Sequence, residues 1–388
     1  MSAARRSVGV VSVSRSDYGH LVPVLRAIAA APDLALRLYV AGMHLEDRFG
    51  RTERAIEADG WPIAARIPMA EDDDRPAGVG AATGRGVEGF ARAFGAARPD
   101  VLVVLGDRFE MLAAAVAALP FALPVAHLHG GEVSEGAMDN QIRHAITKLA
   151  HLHFVSAPEH AERVARMGEE RWRIHTVGAP GLDRFDAFAA SPRVELAAEL
   201  GLPAADRWLL VTLHPVTLEP GRAAAHCQAL LDALEKVDAS LVLTYPNSDP
   251  ESVAIVERLE EFARRHPRCR LVKNLGEQRY VSLLRHADAM VGNSSSGLIE
   301  APSFGLPVVN VGSRQRGRLR GANVIDVEPT REDILRGVEA ALEPAFRAGL
   351  RGRANPYGDG AAAARIAAVL RAVSLDARLL QKRFVDVP

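Results

Sequence analysis

Lysine is scarce in this chain: only four of its 47 cationic side chains are lysine, and no basic block occurs. With a formal charge of -1, that argues against a nucleic-acid surface. Cysteine is scarcer still. Cys227 and Cys269 make no disulfide framework, which fits a reducing cytoplasm. No uninterrupted apolar run reaches the roughly 18 residues that a membrane span needs. The apolar run Val8 to Val13, after Arg5 and Arg6, is too short for a signal-peptide core and reads as a strand, so no targeting segment is expected.

What is present is a core-forming composition, 48% hydrophobic and 24% charged over 388 residues, enough for more than one core. Short apolar runs alternate with helix-length Ala/Arg/Glu segments, the pattern of strands joined by crossover helices in a parallel sheet. A first set of strands is expected near Gly9–Val13, Ala35–Val40, Val101–Leu105, Val125–Leu128, Leu152–Val155 and Ile174–Val177. A second set is expected near Leu209–Leu213, Leu241–Tyr245, Arg270–Val272, Ala289–Val291 and Val308–Val311, with a linker around Ser191-Pro192 and Gly201-Leu202-Pro203. The expectation is α/β: residues 1–190 and 191–358 as two doubly wound, Rossmann-like halves facing a cleft, and 359–388 as a helix packing back across the hinge plus a tail.

The run GNSSSGLIEAPSFG, Gly292 to Gly305, turns an apolar strand straight into a helix. First-turn amides and serine hydroxyls there would face a ligand above the strand end, and phosphate is the usual guest. Glu300, six residues after Ser294, is placed to accept from a ribose diol. The plain alternative is an N-capped helix with a Ser-rich turn. Three polar loops also leave one edge of the first sheet: Ser14 to His20, Gly106 to Glu110, and His127 to Glu132, followed by Asp139, Arg143 and His144 on a helix. Helix capping accounts for any one of these loops. It does not account for acid, arginine and histidine converging from all of them. His127/His129 and His151/His153 are spaced as zinc pairs on a strand would be, but Arg15, Arg108 and Arg143 share the loops and disfavour a cation, so no metal is expected. In the second half, His214 and Asn247 end strands, and the basic loop Gly312 to Arg318 could neutralise a pyrophosphate.

Taken in order, SRSDYG, AGMHLEDRFG, LGDRFE, HLHGGEVSEG, IRHAITKLAH, LHPVT, YPN, GNSSSGLIEAPSFG and GSRQRGR resemble the hydrolysing UDP-N-acetylglucosamine 2-epimerases, over roughly Val8 to Ile366. That resemblance implies the two-domain glycosyltransferase-B architecture and a place in nonulosonic acid synthesis, such as that of sialic or legionaminic acid. It implies UDP contacts at Arg15, His20, Arg108, His214, Asn247, Ser294, Ser295, Ser296, Glu300 and Arg314, with the uracil near Leu275. It implies acid/base carboxylates at Asp107 and Glu132, with Asp17 and Asp139 close by, and a site histidine at His44. His20 departs from the lysine of many relatives, and His129 and Asn140 stand where some relatives carry acids.

The implied chemistry suits these residue types. No carbonyl neighbours C2 of the sugar, so a base alone cannot remove its proton; departure of UDP from C1 must assist. A base then yields a glycal, and a second acid protonates C2 from the other face while water adds to C1. The substrate read first is UDP-N-acetylglucosamine, giving N-acetylmannosamine and UDP. The alternative is UDP-2,4-diacetamido-2,4,6-trideoxyglucose (UDP-N,N'-diacetylbacillosamine). Readings of another class are a glycosyltransferase, which would need an acceptor, and a silent nucleotide-sugar sensor. No cofactor, nucleic acid or membrane partner is expected, and the chain is expected to form a homo-oligomer.

Overall fold

The computed structural model describes residues 5–69, 76–135, 138–187, 190–216, 219–246, 251–273 and 275–386, with Phe49, Pro76, Asp186 and Ala187 described in backbone only. The chain divides into two compact units: Met1–Val133, Met138–Arg184 and Gly360–Pro388 in the first, Ser134–Ala137 and Phe185–Asp359 in the second.

Seven strands build the first unit: β1 Arg6–Ser12, β2 Leu34–Ala41, β3 Ile63–Ile67, β4 Val101–Leu105, β5 Val125–Leu128, β6 Leu152–Val155 and β7 Ile174–Thr176. All pair in parallel, in the order β3-β2-β1-β4-β5-β6-β7. The central strand β4, Val-Leu-Val-Val-Leu, is buried along its whole length, the signature of a strand covered on both faces. The second unit holds β8 Trp208–Thr212, β9 Ser240–Thr244, β10 Cys269–Val272, β11 Ala289–Gly292, β12 Val308–Val311 and β13 Val324–Val327. These too are parallel, ordered β10-β9-β8-β11-β12-β13.

Strand order reverses between β1 and β4 in the first unit and between β8 and β11 in the second. Loops at the carboxyl ends of such neighbours splay apart, which is where open α/β sheets bind ligands. Both reversal points carry the motif loops: Ser14 to His20 and Gly106 to Glu110 in one, His214 and Asn293 to Ser296 in the other.

Two strands had no counterpart in the sequence reading. β3 and β13 are edge strands that pair on one side only, and apart from the buried Ile67 their residues are half-buried or exposed, with Arg66 and Asp326 interrupting the apolar run. Between Ser191-Pro192 and Gly201-Leu202-Pro203, the residues expected as linker, lies a helix that was not expected, Arg193–Leu200, closed by Gly201; Leu196 and Leu200 bury against Trp208 in the second unit's core. The helix Ala362–Ala372 joins the first unit. Its Ala362, Ala363, Ile366 and Leu370 enter that core beside the helix Arg15–Ala30, and the Asp183 carboxylate caps it by accepting from the amides of Ala362 and Ala363 at 3.0 and 2.6 Å. Among the described residues no helix is long and apolar enough to cross a membrane.

Candidate active site

In the first unit, Ser14 N-caps the helix Arg15–Ala30, and the first turn carries Asp17 inward while Arg15 stays exposed. One Asp17 carboxylate oxygen, Oδ2, is buried without a hydrogen-bond partner among the described residues. Burial pushes this carboxyl up to about 7, opposed by Arg108 and the Ser14 hydroxyl and reinforced by Glu110 and Asp107. It is therefore an acid poised near neutrality, the condition that favours a group passing protons both ways.

The loop after β4 supplies the charge around it. Arg108 grips Glu110 in a fork, Nη2 to Oε1 at 2.7 Å and Nε to Oε2 at 3.1 Å. Burial works against the Arg108 cation, but Glu110 and Asp17 outweigh it and fix the charge more firmly than usual. Asp107 accepts from Nη2 of Arg143, which arrives on the helix Met138–Leu149. The other arm of Arg143, Nη1, donates to the His129 carbonyl at 3.0 Å and lies 3.9 Å from Glu132 Oε2. One buried guanidinium thus faces both carboxylates named from sequence. Asp139, in the first turn of the same helix, is half-buried; burial and Asp107 raise its pKa while Arg108 and Arg143 oppose them.

The loop after β5 turns sharply. Gly131 has φ 76°, and a Cβ there would lie 2.4 Å from the His160 carbonyl, so only glycine lets the chain double back. Glu132 is thereby tucked inside, its Oε1 accepting from Ser156 Oγ and His129 Nδ1, each at 2.7 Å. Burial works to raise its pKa, but His129 and Arg143 prevail and hold Glu132 well below the usual carboxylate range. Asp17 and Glu132 therefore occupy opposite electrostatic environments.

The histidines fall into distinct roles. His44 spends both ring nitrogens on hydroxyls, Nε2 with Ser12 at 2.8 Å and Nδ1 with Thr52 at 2.7 Å, and burial pushes it down to about 4. It is a neutral, fully engaged strut. His20 packs edge-on to His129 with ring centroids 6.3 Å apart; burial, His129 and Arg184 push it down to about 3, so it brings no positive charge near neutral pH. His127 spans Gly106 and Thr147, whereas His129 lies beyond the end of β5 with φ 61°. The strand alternation that would aim both at one metal therefore stops before His129. His153 bonds Glu169 at 3.0 Å, and His151 accepts from the Val125 amide at 3.2 Å. Among the described residues no group of three or more His, Cys, Asp or Glu could hold a metal ion.

In the second unit the turn after β11 depends on Gly292, at φ 132°, where a Cβ would sit 1.9 Å from the Thr212 carbonyl. Asn293 then staples the loop after β8: its side chain accepts from the His214 amide at 2.7 Å and donates to the His214 carbonyl at 2.8 Å. Arg314 and Gln315 both donate to the Asn293 carbonyl, at 3.2 and 2.8 Å. His214 is pushed down to about 3 by burial and Arg314. Among the described residues the amides of Ser294 and Ser295 have no internal acceptor and remain able to bind an anion.

The helix expected to carry Glu300 is one turn only, Ser296–Ile299, followed by a 3₁₀ turn, Ala301–Phe304. Pro302 lacks an amide hydrogen and disfavours the α region for Ala301, which stops the helix there. Glu300 is buried and accepts from Ser296 Oγ; with that proton committed, the Tyr280 hydroxyl donates to Ser296. Leu275 is buried at the start of the helix Gly276–His286. Asn247 lies outside the described residues. Sequence reasoning gave no role to Glu110, Ser156, Tyr280 or Gln315. Glu110 and Gln315 carried a signal, standing beside Arg108 and Arg314 in loops already singled out.

The family model described as UDP-N-acetylglucosamine 2-epimerase matches residues 26–371. A UDP-N,N'-diacetylbacillosamine 2-epimerase (hydrolyzing) of Legionella pneumophila is 39% identical over 97% of this chain and 98% of its own. A UDP-N-acetylglucosamine 2-epimerase of Neisseria meningitidis serogroup B is 32% identical over 85% of this chain and 86% of its own. Among solved structures, a putative UDP-N-acetylglucosamine 2-epimerase from Listeria monocytogenes superimposes with a TM-score of 0.81 at 19% identity, covering 95% of this chain and 96% of that one. The fold is α/β with two doubly wound parallel-sheet units, of the glycosyltransferase-B class.

Proposed function

We propose a function that starts from membership: this chain belongs to the UDP-N-acetylglucosamine 2-epimerase family, and it acts as a hydrolysing 2-epimerase on UDP-N,N'-diacetylbacillosamine, releasing UDP and the 2-epimeric sugar. The observation that supports this substrate is the 39% identity, nearly end to end, to a relative of that name, against 32% over a shorter span for one named for UDP-N-acetylglucosamine. The preference reached from sequence alone is thus reversed in substrate and kept in reaction.

In this reading the second unit holds the leaving group. Breaking C1–O develops negative charge on the pyrophosphate, which the amides and hydroxyls of Ser294 and Ser295 and the Arg314 guanidinium stabilise. Glu300, anchored through Ser296, takes the ribose, and His214 and Leu275 flank the nucleotide. The first unit handles protons: Asp17, Asp107 and Asp139 are its candidate acids, beside the buried Glu132, with Arg108 and Arg143 setting which carboxyls ionise. Divergent environments let acid and base functions coexist at one pH: Asp17 is raised towards neutrality, while Glu132 is held ionised among its partners.

The deciding experiment supplies each sugar nucleotide separately without an acceptor and measures kcat/KM from UDP release. A preference for the diacetamido substrate of about tenfold or more is expected, since a site built to pair an extra amide discriminates strongly. Preference for UDP-N-acetylglucosamine would restore the other substrate. Release of UDP only when an acceptor is added would point to a transferase.

A further inference from the structure

We propose that His129 is the base that removes the C2 proton and that Glu132 is the residue that positions it; the proposal rests on the 2-epimerase reading above. Glu132 is badly placed to touch a substrate, because its side chain is 6% exposed and its oxygens face Ser156, His129 and Arg143. His129 meets that carboxylate from just beyond the end of β5, with 11% of its side chain exposed.

Its geometry is unusually constrained. His129 adopts φ 61°, a left-handed conformation uncommon outside glycine. Three contacts hold it there: its amide donates to the Phe154 carbonyl at 3.0 Å, its carbonyl accepts from Arg143 at 3.0 Å, and its Nδ1 meets Glu132. An ionised carboxylate only accepts, so Nδ1 must carry the hydrogen, and in the neutral ring the lone pair is then on Nε2. Nε2 has no hydrogen-bond partner among the described residues. A carboxylate holding one ring nitrogen so that the other meets the reacting atom is a recurrent way to fix tautomer and orientation.

The steps balance. Nε2 takes the C2 proton; the C2–H pair becomes the C1=C2 bond, and the C1–O pair leaves with UDP. The imidazolium returns its proton to solvent. A carboxylic acid on the opposite face then protonates C2, water oxygen bonds to C1, and the proton released by that water restores the acid.

The test is His129→Gly, which relieves the positive φ and leaves a ring-shaped gap. Relative to wild type, kcat on the diacetamido substrate should fall about 10²- to 10⁴-fold while UDP affinity and circular dichroism stay unchanged. Free imidazole should restore part of it, with a rate rising with free-base concentration. His129→Asn, which also tolerates left-handed backbone, should lose activity to a similar degree without rescue. Glu132→Gln should lower kcat with little change in KM, and in the His129→Gly background it should cost nothing more. Near-normal turnover in both His129 variants, no rescue in folded, UDP-binding His129→Gly, or additive losses in the double variant would overturn the proposal. A wild-type enzyme that turns over neither sugar nucleotide would instead remove the 2-epimerase reading and this inference with it.

Discussion

Arg143 donates to the Asp107 carboxylate from inside the first unit, with only 4% of the arginine side chain exposed against 22% of the aspartate. The buried cation keeps the acid both oriented and reachable. Asp107→Asn should therefore lower kcat about 10²-fold or more, as expected for loss of an acid/base group, while UDP binding measured by calorimetry is kept. Turnover close to wild type would take Asp107 out of the proton transfers.

The second unit makes the complementary prediction. Glu300→Ala and Arg314→Ala should weaken UDP binding by about 1.5–3 kcal/mol each, the usual loss for a charge-assisted contact. Glu300 also anchors Ser296, so Glu300→Gln, which can still accept from that hydroxyl, should lose less than Glu300→Ala. Unchanged calorimetric affinity in both alanine variants would move the nucleotide elsewhere.

Bond cleavage should occur at C1–O rather than at phosphorus. In ¹⁸O-labelled water the UDP released should stay unlabelled, and in D₂O the product sugar should carry deuterium at an inverted C2. Mass spectrometry and NMR of the two products read both outcomes at once. Label in UDP, or a C2 that keeps its original proton, contradicts elimination and re-addition.

Asp17 links the site to stability. Its folded value of about 7 lies above the ordinary aspartate value of 3.8, so between these the folded state binds a proton that the unfolded state has lost. Stability from this group is present below the lower value and falls as pH rises towards about 7, by up to the order of 4 kcal/mol. Asp17→Asn abolishes the titration. Its melting temperature relative to wild type should rise between about pH 4 and about pH 8. A difference that stays flat across that window would mean that Asp17 is ionised throughout.

Much of this protein was legible in its sequence because the signals are local. Buried parallel strands must be apolar along their length, so runs such as Val101–Leu105 and Val308–Val311 announced themselves, and the polar loops that follow them marked the carboxyl edges. Turn glycines and the order of motifs carried the family and the reaction. Edge strands β3 and β13, the helix over Arg193–Leu200 and the stopping of the Ser296 helix depended on neighbours distant in sequence or on competing local rules. Electrostatics lay further out of reach. That Asp17 is raised while Glu132 is held low, that His44 has no nitrogen to spare, and that Glu132 meets His129 rather than solvent are consequences of burial and of which charges the fold brings together. A sequence names the acids and bases, but the dielectric around them and the partners they face exist only once the chain has packed.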